Sequence, residues 1–351
     1  RWINEGLAEE YAARVLVAMG GDPSEPEAVA RASSEAFPLN DWPPPAPIRD
    51  DASEKREQYG YDASWTVVRA ILAEAGEDGF LRMFRAADDH TTAYPGEGPP
   101  ERAALPNDWR RFLDLAEELG GADGATALIV AWAATNDAQD VLIARDAARK
   151  AYHVLLEDGD GWAAPTAVRL AMDGWTFEKA GDAIDLAETV LHARDDLATA
   201  AASVGLSPAG DLEAAYEGAA SGSDLDAALV LARATSRSLD EVTAAGAAVA
   251  APRDVLTSLG LDEADPDGDL AAARAAWEAG DLGASTAAAD AALAALAAAP
   301  GNGRTKVLLV GGGAVGTVVL LWVVVVIARR RRRPLPASEG PQPNDEELDR
   351  S

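Results

Sequence analysis

The 351-residue chain has no cysteine. That excludes disulfide frameworks, cysteine-ligated zinc or iron–sulfur centres and a cysteine nucleophile. Histidine is almost as scarce. His90, His153 and His192 lie far apart, and no two of them stand at metal-ligand spacing. Bases are few beside acids, 30 against 59, for a formal charge of −29. A phosphate binder needs clustered positive charge, so nucleic acid is excluded as the default partner. No G-x-x-x-x-G-K-[ST] phosphate loop is present. Alternating β-branched runs are scarce while alanine is abundant, so nearly everything reads as helix. What remains is ordinary globular material, 48 % hydrophobic and 25 % charged, long enough for about two domains. The chain starts with Arg1 inside a helical pattern, with no signal peptide, which suggests the C-terminal piece of a longer protein.

The strongest physical signal lies near the C-terminus. Residues 307–328 (VLLVGGGAVGTVVLLWVVVVIA) are 22 residues without a charge. At about 1.5 Å per residue they span about 33 Å, the thickness of a hydrocarbon core. Arg329 to Arg333 follow at once, and Arg304 and Lys306 stand on the other side. The larger basic cluster marks the cytoplasmic end, so a single-pass protein of the cell membrane is expected, with its N-terminal region extracellular. Gly312 and Gly316 form a G-x-x-x-G spacing that lets two such helices approach closely as a homodimer. Residues 329–351 carry six bases and five acids, so the −30 of residues 1–328 lies outside, favouring solubility over lipid adhesion. The tail is polar and proline-rich and reads as disordered.

Ahead of the span, residues 1–19 place Ile3, Leu7, Tyr11 and Val15 on one helical face, stopped at Gly20-Gly21. Residues 37–48 (FPLNDWPPPAPI) are too rich in proline for a helix. Helices resume over 61–75, with Trp65, Val68, Ile71 and Leu72 inward, and over 79–87. Asn107 or Asp108 caps a further helix that ends at Gly120-Gly121. From 122 to 300 alanine-rich helices follow one another, with stops at 157–161, 207–210, 221–224, 262–269, 279–283 and 300–303. No fixed repeat length emerges, so this reads as a bundle or hairpin array rather than a solenoid. Glu263, Asp265, Asp267 and Gly268 mimic the opening of an EF-hand, but Arg274 stands where the bidentate glutamate belongs and Pro266 intrudes. This segment reads as a turn that caps a helix from about Asp269. Trp162 and Trp175 read as core.

One segment carries a functional signal. Residues 2–11 read Trp-Ile-Asn-Glu-Gly-Leu-Ala-Glu-Glu-Tyr. This resembles the W-x-N-E-G-x-A-E-Y segment of gluzincin metallopeptidases, the aminopeptidase N-like and peptidase MA-like families, here of a membrane-anchored bacterial type. In that family two histidines of an H-E-x-x-H helix and the glutamate of N-E-G hold a zinc ion. The resemblance puts that third ligand on Glu5. Zn2+ needs three protein ligands and an open position for water, and the glutamate of H-E-x-x-H acts as base on that water. The remaining ligands and the base are expected upstream of Arg1, about eighteen residues ahead of Glu5 in the family's spacing.

The family also has a tyrosine whose hydroxyl donates to the tetrahedral oxyanion. Tyr61, in YDASWTVV, fits 56 residues after Glu5, and Tyr59 is the competing choice. EAGEDGFLRMF and PNDWRRFLDL resemble the family's later helices, so the likeness covers about residues 1–119. Glu9, one turn from Glu5 on the same face, is placed to orient a zinc-bound histidine, with a solvated charge as the plainer reading. Glu10 is expected to face solvent.

The sequence pattern gives the expectation of an all-α protein with a membrane-proximal helical domain (121–303), a transmembrane helix (307–328) and a cytoplasmic tail (329–351), and the resemblance implies that residues 1–120 are a partial peptidase C-terminal lobe. It implies hydrolysis of a peptide or protein substrate when full-length, and an inactive isolated chain. The rival class is a non-catalytic cell-surface receptor or scaffold with a degenerate peptidase-like lobe.

Overall fold

The computed structural model describes residues 1–27, 31–207 and 211–331, with the backbone alone at 310–317, 330 and 331. The described residues are helical, with no strand and a single bridge between Thr91 and Arg102. The chain divides into two compact units. One comprises Arg1–Leu239 with Trp277–Leu282, the other Asp240–Ala276 with Gly283–Ser351.

The first unit opens with α1 (Trp2–Ala18), a 3₁₀ turn at Leu39–Asp41 and α2 (Asp51–Asp88). Asp50 starts α2 with a reciprocal capping box to Ser53. Gly76, at φ 68° and ψ −177°, divides α2 into two helical stretches, which places the break between the two helices expected there. Trp65, Val68, Ile71 and Leu72 are buried as their spacing requires.

α1 differs from expectation. Tyr11 and Val15 are exposed, and the buried stripe is Trp2, Gly6 and Glu10. The reason is Gly6. A Cβ there would lie 2.5 Å from the Ser64 carbonyl oxygen and 2.7 Å from Val68 Cγ2, so the missing side chain is what lets α1 lie against the α2 backbone. Glu10 is therefore buried rather than solvated. It accepts from Trp65 Nε1 at 3.1 Å and from Arg14 Nε at 2.8 Å, which compensates its charge.

α3 (Trp109–Asp114), capped by Asp108, runs into a π-helical turn (Leu115–Gly120), and Gly121 ends it in the left-handed region. α4 (Ala125–Trp132), α5 (Asn136–Gly159), α6 (Thr166–Asp173), α7 (Phe177–Ser203), α8 (Leu212–Glu217) and the first part of α9 (Gly222–Ala250) complete the unit. One apolar core runs through it from Trp2 to Ala232. Fully buried side chains such as Ile71, Leu113, Ile129 and Ile184 contribute roughly 1.5–3 kcal/mol each. Trp175 belongs to this core, and Trp162 packs on Tyr216 at its edge.

A charged network crosses that core. Asp114 accepts from Tyr94 Oη at 3.1 Å, Trp175 Nε1 at 2.7 Å and Arg145 Nε at 2.8 Å. Arg145 Nη1 reaches Glu117 at 2.6 Å, and Glu117 also accepts from Thr126 and pairs with Arg149. Asp114, at the end of α3, and Glu117, in the π-helical turn, are both buried. Burial pushes the Asp114 carboxyl up to about 6. Burial opposes the charge of Arg145, but the carboxylates of Asp114 and Glu117 hold it above the usual guanidinium value.

In the second unit, α10 (Val255–Gly260) is capped by Asp254. α11 (Pro266–Glu278) starts three residues earlier than expected, with Pro266 at its first position and Asp265 accepting from Gly268 N at 2.9 Å. α12 (Leu282–Arg331) is one continuous helix with Pro300 inside it, so residues 300–303 are not the stop expected from their composition. Their glycine serves packing instead: a Cβ on Gly303 would strike the Leu256 backbone, and one on Gly260 the Ala299 backbone, so α10 and α12 cross at those two glycines. Within α12 the stretch long and apolar enough to cross a membrane by length and composition is Leu282–Leu309, and Val318–Arg329, in the expected 307–328 span, is a shorter apolar stretch. Val307–Leu309 and Val318–Val325 are exposed on every side, unlike a helix of a soluble core. Residues 332–351, which include most of the expected tail, lie outside the described residues, as do the side-chain surroundings of Gly312 and Gly316.

Candidate functional site

Glu5 and Tyr61 reach the same place from α1 and α2, joined through Arg1. The Arg1 guanidinium donates from Nη2 to Tyr61 Oη at 3.4 Å, and its Nε lies 3.8 Å from Glu5 Oε1. Its short contacts go elsewhere: Nη2 to Glu57 Oε2 at 2.6 Å and Nη1 to the Pro43 carbonyl at 2.6 Å. Glu57 therefore takes most of the cation's charge. Glu5 keeps one long contact and is half-buried, leaving lone pairs for another electrophile.

The wall of the site is aromatic. Trp42 lies under the guanidinium, 3.9 Å from its ring centroid, and meets Tyr61 edge to face at 5.1 Å. Trp42 Nε1 donates to Glu57 at 3.3 Å. Gly60 permits this, because a Cβ there would occupy the Trp42 ring. Trp2, the neighbour of Arg1, is anchored by donating to Asn40 Oδ1 at 2.9 Å. The Arg1 pair holds the Glu57 carboxyl below its ordinary value, and Glu57 raises Arg1 against the cost of burial.

Tyr59 stands apart, buried against Phe37 with ring centroids 5.3 Å apart, and burial raises its phenol. Glu9 is exposed on α1. Sequence reasoning missed Trp42, Glu57 and the bridging role of Arg1. The only signal for them was an aromatic residue inside the proline-rich stretch 37–48, which has no periodicity to place it.

A catalytic zinc needs three protein ligands. Among the described residues no three His, Asp or Glu side chains converge on one point. The described residues therefore do not by themselves form such a centre. No family model, no curated protein and no solved structure matches the chain.

Proposed function

We propose that the chain is the C-terminal part of a membrane-anchored extracellular zinc metallopeptidase of the gluzincin type, hydrolysing peptide bonds by metal-activated water. The observation that supports this most is the convergence of Glu5 and Tyr61, 56 residues apart, on one guanidinium. In this reading Glu5 contributes one carboxylate to the metal and Tyr61 donates its hydroxyl to the oxyanion of the attacked carbonyl. Glu9 orients a ligand histidine. The two histidines and the base come from residues ahead of Arg1, so the chain alone neither cleaves peptides nor binds zinc tightly. α12 anchors the protein, with Arg329–Arg333 on the cytoplasmic side and the acidic remainder outside.

The test is Tyr61→Phe in the protein that carries those preceding residues. It lowers kcat by about 10- to 1,000-fold, with zinc content kept and KM little changed. An unchanged kcat contradicts the assignment. The second reading, a scaffold with a degenerate lobe, is favoured by one observation: a cation already lies beside Glu5. The residues ahead of Arg1 separate the two, since only the peptidase needs H-E-x-x-H there.

A further inference from the structure

A hollow of ≈ 210 Å³ lies in the first unit, lined by Arg31, Phe37, Pro38, Tyr59 and Trp132 with three alanines between them. We propose that it binds a small organic acid, a carboxylate carried on an apolar or aromatic body, with the carboxylate meeting Arg31 and the Tyr59 hydroxyl. This does not depend on the zinc reading.

The hydroxyl of Tyr59 is the observation that calls for a ligand. Tyr59 is 6 % exposed, its ring packed on Phe37 with centroids 5.3 Å apart. Yet its hydroxyl has no hydrogen-bond partner among the described residues. It is not one of the polar atoms sealed inside the fold either, so it opens on the hollow that Tyr59 lines. Buried hydroxyls are normally paired, and this one lacks an acceptor that the protein does not supply.

The charges give the sign of the ligand. The chain carries 59 acids against 30 bases, but no Asp or Glu lines this hollow. Arg31 has no ion-pair partner among the described residues; its guanidinium lies 5.5 Å from the Trp132 ring centroid, a stacking contact that leaves its N–H edge free to donate. Burial raises the Tyr59 phenol and the Arg31 charge acts against that rise, so the cation and the hydroxyl are close. Arg56, also without an ion pair among the described residues, lies 4.3 Å from the Phe37 ring centroid and adds to the positive field.

The walls and the size give the rest. Phe37 and Trp132 offer apolar surface to the body of the acid, which a bare inorganic anion cannot use. The volume falls below the about 300 Å³ at which pockets for drug-sized ligands begin, so the acid is small.

The experiment titrates the full chain in detergent with phenylacetate, followed by calorimetry and by saturation-transfer NMR of the ligand. Phenylacetamide, of nearly the same shape but neutral, and inorganic phosphate are the comparisons. Phenylacetate binds at least about 10-fold tighter than either. Tyr59→Phe, which removes the hydroxyl and keeps the ring on Phe37, weakens it about 3- to 10-fold, and Arg31→Gln weakens it at least about 10-fold. Far-ultraviolet dichroism and thermal unfolding of each variant check that the helices are intact. Four results overturn the proposal: equal affinity for phenylacetate and phenylacetamide, phosphate binding as tightly as phenylacetate, an unchanged affinity in the Arg31→Gln/Tyr59→Phe double variant, or no binding of phenylacetate up to about 10 mM.

Discussion

Replacing Arg145 by Met tests the charged network that crosses the first core. Arg145 is 1 % exposed and is the main countercharge to two carboxylates, Asp114 and Glu117, that are themselves 2 % and 4 % exposed. Methionine fills much of the same volume, so packing changes little. The electrostatic loss is large. Asp114 keeps only the neutral donors Tyr94 Oη and Trp175 Nε1, and Glu117 keeps Thr126 and Arg149 Nη1 at 3.3 Å. Removing one partner of a buried pair costs about 3–5 kcal/mol.

The pH dependence gives a second handle. The folded carboxyl of Asp114 lies above its ordinary value of 3.8, at about 6. The stability it contributes is therefore fully present below the ordinary value and is lost as pH rises through the folded one. Without Arg145 the folded value moves further up, so the loss extends through neutral pH. Urea unfolding followed by tryptophan fluorescence, run on the full chain in detergent, measures both effects. The variant is about 4 kcal/mol less stable at pH 8 and closer to the parent at pH 5. A cost under about 1 kcal/mol at pH 8, or one independent of pH, refutes the view that the network is charged and buried.

Three further outcomes follow from the same geometry. Gly6→Ala forces α1 away from the Ser64 carbonyl; overpacking costs about 1–3 kcal/mol, partly offset by alanine's better helix propensity, and it loosens the Arg1–Tyr61 contact, read as a change in near-ultraviolet dichroism. Glu57 has a carboxyl held below its ordinary 4.5 by Arg1, so its stability contribution is present above that value and fades as pH falls. Glu57→Gln flattens that acid limb, which pH-dependent thermal unfolding detects. Paired Leu320→Arg and Val324→Arg substitutions add about 5–7 kcal/mol to insertion of α12, and shift the protein from the carbonate-resistant membrane fraction to the soluble one.

The sequence made some of these features visible and hid others, for identifiable reasons. The helical spacing of Trp65, Val68, Ile71 and Leu72 reports burial directly, because an apolar face repeats every three to four residues. Asp108 and Gly121 mark their helix ends by cap chemistry. Local signals fail where the neighbour is distant in sequence. Glu10 looks like a surface charge until Trp65 and Arg14 surround it. Pro300 and Gly303 look like a turn, but Gly303 is where α12 crosses α10. Asp114, Glu117 and Arg145 look like the polar faces of amphipathic helices, and only their mutual pairing, between residues far apart in sequence, shows that they lie in the core. At the candidate site, a short motif singled out Glu5 and Tyr61, and the structure brings both beside Arg1. Trp42 and Glu57 were not, because the loop and helix start that carry them have no pattern pointing at Arg1.

The most direct measurement is zinc content, by inductively coupled plasma mass spectrometry, of the protein with its preceding residues, comparing the parent with Glu5→Gln. The account predicts about one zinc per chain in the parent and at least a 10-fold loss of affinity in the variant. Equal zinc in both, or none in the parent, contradicts the assignment of Glu5 to a metal.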